Sequence, residues 1–260
     1  MDRRQFLVGI GVLVVAGCGG SRPGPGPTPI DQPPPPPPPP PPQPAPVLGI
    51  NRILTFGDSM TAGTTSPAVP QFRTALSAGI PFSYPFKLSA LLTQRYSNQE
   101  IVVLNGGIAG KKATEDRSRI GGVMAEADAE LLVLMEGAND LLSIFIPPVP
   151  ESPNAVIRGA VDAMEDMVRE AMARRMEVIV VNLPPQRESG PRGAAAKYVG
   201  QYNSMLQQMA AKKGARFVDL HSQFDLSLIG VDGLHPTEAG YERIAEVIRT
   251  AIGNAFERPA

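Results

Sequence analysis

The sequence predicts an α/β domain: a three-layer α/β/α sandwich around a five-stranded parallel sheet. Two observations carry that reading. Five short runs are apolar almost throughout, in "RILTFGDS", "IVVLNGG", "ELLVLMEGAND", "EVIVVNLPP" and "RFVDLHSQF". Strands of that kind are buried on both faces, as in parallel sheets. Between them lie segments with helical spacing of apolar residues, and such alternation places helices on both sides of the sheet.

Each helix can be justified in turn. "SYPFKLSALLTQRY" sets Phe86, Leu88, Leu91, Leu92 and Tyr96 at near-helical spacing. A weaker helix is expected over Arg117 to Ala127. "NAVIRGAVDAMEDMVREAMARR" aligns Val156, Ala160, Met164, Met167 and Ala171 on one face. Pro184-Pro185 stops the strand that follows. "AAAKYVGQYNSMLQQMAAKKG" is a helix ended by Gly214. "PTEAGYERIAEVIRTAIG" repeats Tyr241, Ile244, Ala245, Ile248 and Ile252.

Ahead of this domain, expected over residues 50–257, the chain is of another kind. Arg3-Arg4, an apolar run from Phe6 to Ala16 and small residues through Gly17 form an expected signal peptide over residues 1–17. The run is too short for a permanent transmembrane helix. Val15-Ala16-Gly17-Cys18 resembles a bacterial lipobox, which implies cleavage before Cys18 and lipidation of it. Arg3-Arg4-Gln5-Phe6-Leu7 resembles a twin-arginine export signal, with Asp2 where serine or threonine is usual. The implied location is outside the cytoplasm, anchored to a bacterial membrane and facing the periplasm or the cell exterior. Residues 18–49 read as a proline-rich tether, and the ten prolines from Pro33 to Pro42 would span roughly 30 Å as polyproline II.

Composition excludes several classes. A formal net charge of -1 over 260 residues shows neither the basic balance of a nucleic-acid binder nor an acidic tail. Cys18 is the sole cysteine, so no intramolecular disulfide forms. With two histidines there is no recognisable zinc spacing, and neither glycine-rich stretch has the pattern of a phosphate loop or a dinucleotide fingerprint. No metal and no cofactor are expected.

The polar clusters Gly57-Asp58-Ser59, Asn105-Gly106-Gly107, Gly137-Ala138-Asn139-Asp140 and Asn182-Leu183-Pro184 all end predicted strands. In open parallel sheets, sites form outside those carboxyl ends. Ser59 in "TFGDSMTAG" is either a helix cap or a nucleophile. Asp232 and His235 in "VDGLHPTEAGY" are three residues apart, close enough for a carboxylate to orient one ring nitrogen. They could equally form a capping loop, with Thr237 as the cap. His221 has no evident partner and reads as a structural or surface residue. Asp58 and Asp140 are expected to hold loops through backbone N–H groups.

Read together, these segments resemble one family. "FGDSMTAG", "NGGIAG", "LMEGAND" and "DGLHP" match, in order, the four blocks of the GDSL or SGNH hydrolases over about Arg52 to Ile252. The resemblance implies a flavodoxin-like α/β fold and a cofactor-free serine esterase. Ser59 would be the nucleophile, His235 the general base and Asp232 the acid that orients it. The oxyanion hole would comprise the N–H groups of Ser59 and Gly110 and the side-chain amide of Asn139. Gly106 and Gly107 are alternatives for the glycine. Lys111-Lys112 follow Gly110 where relatives often carry an acid or threonine, which implies a more basic rim. The implied substrate is a carboxylic ester or thioester: a short-chain acyl ester, a lysophospholipid or an O-acetylated glycan. The same site could transfer an acyl group, and the same fold could serve as a non-catalytic binding module. Ile144, Phe145, Ile146 and Val149 would either form an acyl pocket or lid or pack on the body of the domain, and Arg73, Lys111 and Lys112 would either favour an anionic substrate or be ordinary solvated charges.

Overall fold

The computed structural model describes residues 24, 26, 45–65, 80–148 and 152–258. The signal segment, Cys18, the Pro33–Pro42 run, Arg73 and Val149 lie outside the described residues. Two strand pairings organise the rest. Strands β1 (Val47–Leu48) and β7 (Glu257–Arg258) pair antiparallel, while β2 (Arg52–Gly57), β3 (Val102–Asn105), β4 (Leu131–Met135), β5 (Glu177–Val181) and β6 (Arg216–Val218) form one parallel sheet in the order β3-β2-β4-β5-β6. The central register sets Ile53 opposite both Val103 and Leu131. Every residue of β4 is buried, as a strand covered on both faces requires.

The helices are α1 (Ser59–Ala62), α2 (Tyr84–Arg95), α3 (Ala113–Asp116), α4 (Ile120–Ala127), α5 (Ala138–Ser143), α6 (Pro153–Ala173), α7 (Ala196–Lys213) and α8 (Glu238–Phe256). Helix α2 packs on α8, and α6 packs on α7, α3 and α4. The predicted faces of α6 and α8 are buried, apart from the partly exposed Val156. Gly214 caps α7 in the left-handed region, and Thr237 caps α8 by accepting from Gly240 N at 3.1 Å.

Four details differ from expectation. The buried face of α2 is Tyr84, Leu88 and Leu92, continued by Tyr96, while Phe86 is exposed. A strict i, i+4 stripe therefore faces the sheet, led by a tyrosine. The helix expected from Arg117 begins only at Ile120, because Arg119 turns inward to Asp116 (2.5 and 2.9 Å) and Gly106 O (3.0 Å) and lies over the Phe56 ring. Strand β6 stops at Val218, where the Asp219 carboxylate accepts from Asn182 Nδ2 (2.8 Å) and Ser222 N (3.2 Å) and bends the chain. The β1–β7 pair starts at Val47, ahead of the expected start at residue 50. Glu257 is held there by Arg95 (2.7 and 2.8 Å) and Tyr96 Oη (2.8 Å).

Gly137 joins β4 to α5 with φ +115°, and a Cβ there would lie 2.5 Å from Tyr202 Cζ. The Tyr202 hydroxyl donates to Glu136 O at 2.8 Å and closes this turn. Gly137→Ala combines an unfavourable φ with a collision against a fully buried ring. It is expected to cost roughly 2–4 kcal/mol of stability, read by denaturant unfolding.

Candidate active site

Ser59 opens α1 directly after β2, and His235 lies 176 residues later, just before α8. The parallel sheet brings both to the edge where its strands end. His235 Nε2 is 2.8 Å from Ser59 Oγ, and His235 Nδ1 is 2.5 Å from Asp232 Oδ2. Asp232 Oδ1 also accepts from the N–H groups of Leu234 and His235, both at 3.0 Å. With the carboxylate ionised, Nδ1 carries the ring proton and Nε2 turns its lone pair to the serine hydroxyl.

Burial sets the electrostatics. Ser59 is 3% exposed and His235 4%. Desolvation lowers the His235 pKa below its ordinary value, outweighing the opposing pull of Asp232. Burial works to raise Asp232, but hydrogen bonds from the His235 ring and from two backbone N–H groups outweigh it and hold the carboxyl below its ordinary value. The relay therefore rests as a neutral imidazole beside an ionised carboxylate.

The β3–α3 loop is stitched against α1. Asn105 Nδ2 donates to Thr61 O (2.9 Å), and Gly107 N donates back to Asn105 Oδ1 (2.9 Å). Gly106 N donates to Thr55 O (2.7 Å) and Ile108 N to Gly57 O (2.9 Å). Gly110 is different: it has φ +82°, and its N–H has no acceptor among the described residues. Asn139 Nδ2 donates one hydrogen to Lys111 O at 2.8 Å, and its second has no acceptor among the described residues. Asp140 accepts from Ala113 N (2.7 Å) and from Thr114 Oγ1 (2.8 Å) and N (3.3 Å), which fixes the loop of Gly110 to the helix of Asn139. Lys111 and Lys112 each approach Glu115 at 3.6 Å, so the cationic rim inferred from the sequence is partly neutralised. The His221 N–H donates to Asn182 Oδ1 (2.9 Å), and its ring makes no hydrogen bond among the described residues. Ile144 is buried, whereas Phe145 and Ile146 are exposed.

A set of buried carboxyl groups lies beneath the site, of which the sequence pointed to Asp58 but not to Glu136 or Asp116. Asp58 caps α1 through Met60 N (2.9 Å), while its Oδ2 and both oxygens of the fully buried Glu136 have no hydrogen-bond partner among the described residues. Asp116 faces them, paired with Arg119. Desolvation, helped by the neighbouring acids Asp140 and Asp116 and opposed by the Met60 N–H, raises Asp58 to about 7. Desolvation and the surrounding carboxyls also hold Glu136 well above its ordinary value. The available signal was an acid ending a continuous apolar run at "LVLMEG". Among the described residues, no group of three or more His, Cys, Asp or Glu side chains is placed to hold a metal ion.

A hydrogen-bonded serine–histidine–aspartate relay at the strand ends of a parallel sheet defines a class, the α/β serine hydrolases. The profile of the GDSL-like lipase/acylhydrolase family matches residues 55–243, and the chain belongs to that family of ester-bond hydrolases. A multidomain esterase of Ruminococcus flavefaciens is 24% identical over 155 residues, covering 58% of this chain. The match spans only 19% of that relative's length. Axe2, an acetylxylan esterase from Geobacillus stearothermophilus, is similar in structure, with a TM-score of 0.64 and 21% identity over 79% of this chain and 97% of its own. Catalytic mutants of Axe2 replace a serine, a histidine or an aspartate. The lipase/acylhydrolase of Enterococcus faecalis aligns with a TM-score of 0.63 and 20% identity over 81% of this chain and 99% of its own.

The raised Asp58 pKa has a thermodynamic consequence. An acid whose folded pKa lies above its unfolded value stabilises the fold at low pH, and that contribution is lost as pH rises towards the folded pKa. For Asp58 the window runs from 3.8 to about 7. Asp58→Asn keeps an acceptor for Met60 N but cannot ionise. Its stability relative to the parent is expected to rise between pH 4 and pH 8, by up to a few kcal/mol. Urea unfolding at both pH values reads the difference, and a pH-independent difference would remove the assignment.

Proposed function

We propose that the chain is a serine esterase that cleaves carboxylic esters or thioesters through an acyl-enzyme on Ser59. The observation that carries this reading is the Ser59–His235–Asp232 relay, with both ring nitrogens engaged. His235 Nε2 takes the hydroxyl proton as Ser59 Oγ bonds to the ester carbonyl carbon. The oxyanion that forms accepts hydrogen bonds from Ser59 N, Gly110 N and Asn139 Nδ2, a set supported by the uncommitted N–H of Gly110 and the uncommitted second hydrogen of Asn139. As the bond from carbon to the leaving oxygen or sulfur breaks, the imidazolium returns its proton to that atom. Water then attacks the acyl carbon while Nε2 takes its proton. The bond to Oγ breaks, and Ser59 recovers its hydrogen. Asp232 stays ionised throughout, orienting the ring and stabilising the imidazolium.

The leader sequence supports export and attachment through a lipidated Cys18, with the proline run as spacer. The named activities of the relatives support O-acetylated glycans as one candidate substrate class.

Ser59→Ala is expected to retain the fold by circular dichroism and to lose at least about 10³-fold in kcat on a short-chain aryl ester. Unchanged turnover would end the reading. Because the base works only when neutral and burial lowers its pKa, kcat/KM should reach half its maximum below the pH of an ordinary imidazole, about 6.5. A pH–rate profile measures this directly.

A further inference from the structure

Seven large apolar side chains are exposed among the described residues, and four of them sit on the three loops that carry the site. Ile108 lies between Gly107 and Gly110. Phe145 and Ile146 follow α5, which carries Asn139. Val231 immediately precedes Asp232 and is 78% exposed, while Ile146 is 54% exposed. Helix α5 is six residues long and ends at Ser143, so Phe145 stands two residues past its end and six after Asn139. Two cations accompany these residues. Lys197 Nζ stands 5.3 Å from the ring centres of both Phe145 and Tyr198. Arg192 donates its backbone N–H to Asp232 O at 2.9 Å and so stands on the same rim. Neither side chain has a carboxylate partner among the described residues, whereas Lys111 and Lys112 do.

Exposed apolar groups gathered at one place mark a contact surface. Here three of the four are aliphatic, which suits acyl chains better than the aromatic platforms that stack on sugar rings. Unpaired cations beside them match anionic headgroups, the combination that gives interfacial binding.

We propose that the mouth of this site docks on an anionic lipid surface: Ile108, Phe145, Ile146 and Val231 enter the interface, and Lys197 and Arg192 meet the headgroups. The substrate class is then a long-chain acyl ester of a lipid, taken from the surface by Ser59. The identity of the reaction rests on the esterase reading above, but the docking does not.

The chain contains no tryptophan, so one introduced residue reports its own surroundings. The full chain carrying Cys18→Ala removes lipidation as a means of attachment. In that background Val231→Trp and Ile146→Trp should shift to the blue and be quenched by vesicles of brominated phosphatidylcholine with one third phosphatidylglycerol. Val47→Trp, at the opposite edge where the strands begin, should not respond. No quenching at the mouth, or equal quenching at all three positions, overturns the docking. For the substrate class, Lys197→Glu should lower turnover of a long-chain ester packed in those vesicles by at least about tenfold. Its kcat/KM on a soluble short-chain ester should be unchanged. Equal losses on both esters, or a loss confined to soluble O-acetylated glycan, would overturn the lipid assignment. A parent chain that hydrolyses no ester defeats the esterase reading and leaves the quenching result to decide the docking.

Discussion

One hydrogen bond organises this molecule: His235 Nε2 to Ser59 Oγ, closing a separation of 176 residues. It depends on the parallel sheet, which delivers the end of β2 and the loop beyond β6 to the same edge. The bond does not act alone. The Tyr241 hydroxyl donates to Thr64 O, tying the first turn of α8 to the chain just beyond α1. Helix α2 packs along α8 and also touches α1, so the serine's helix and the helix that follows the histidine are braced through α2. Preorganisation of this kind is what catalysis by a positioned base demands.

The same desolvation explains the base and the buried acids. Removing water disfavours charge, so it lowers His235 and raises Asp58 and Glu136. Asp232 escapes because it accepts three hydrogen bonds within its own turn. A dry site can therefore hold one ionised carboxylate beside the histidine only where the donors are supplied locally. The turn "DGLHP" supplies them, with Gly233 in the left-handed region allowing the chain to fold back over the carboxylate.

The strand–helix alternation was legible because continuous apolar runs and helical periodicity are local signals. The serine, aspartate, histidine and asparagine could be picked out because four short blocks occur in order. Other features depend on tertiary contacts. Among the three glycines in "NGGIAG" only the family resemblance favours Gly110, and the physical difference between them shows when the partner of each N–H is known: Thr55 O for Gly106, Asn105 Oδ1 for Gly107, none among the described residues for Gly110. Arg119 looked like a helical surface residue. Its role against Asp116, Gly106 and Phe56 appears only once β2 and β3 are adjacent. Tyr84 displaced Phe86 in the buried stripe of α2 because its hydroxyl meets Thr61 Oγ1 under the nucleophile helix, a polar anchor that phenylalanine lacks.

The rim obeys different constraints from the centre. Relay geometry leaves little freedom, since a shift of an ångström at Ser59 or His235 would break the bond between them. Ile108, Ile146 and Val231 contribute nothing comparable to the core, and in water an exposed aliphatic side chain gains nothing from its position. Solvent exposure alone would favour polar side chains on these loops as readily. Their grouping on the loops of Gly110, Asn139 and Asp232 is accounted for by a surface that covers them during turnover. On this view the sheet edge determines which bond is broken, and the apolar rim determines where the enzyme finds it.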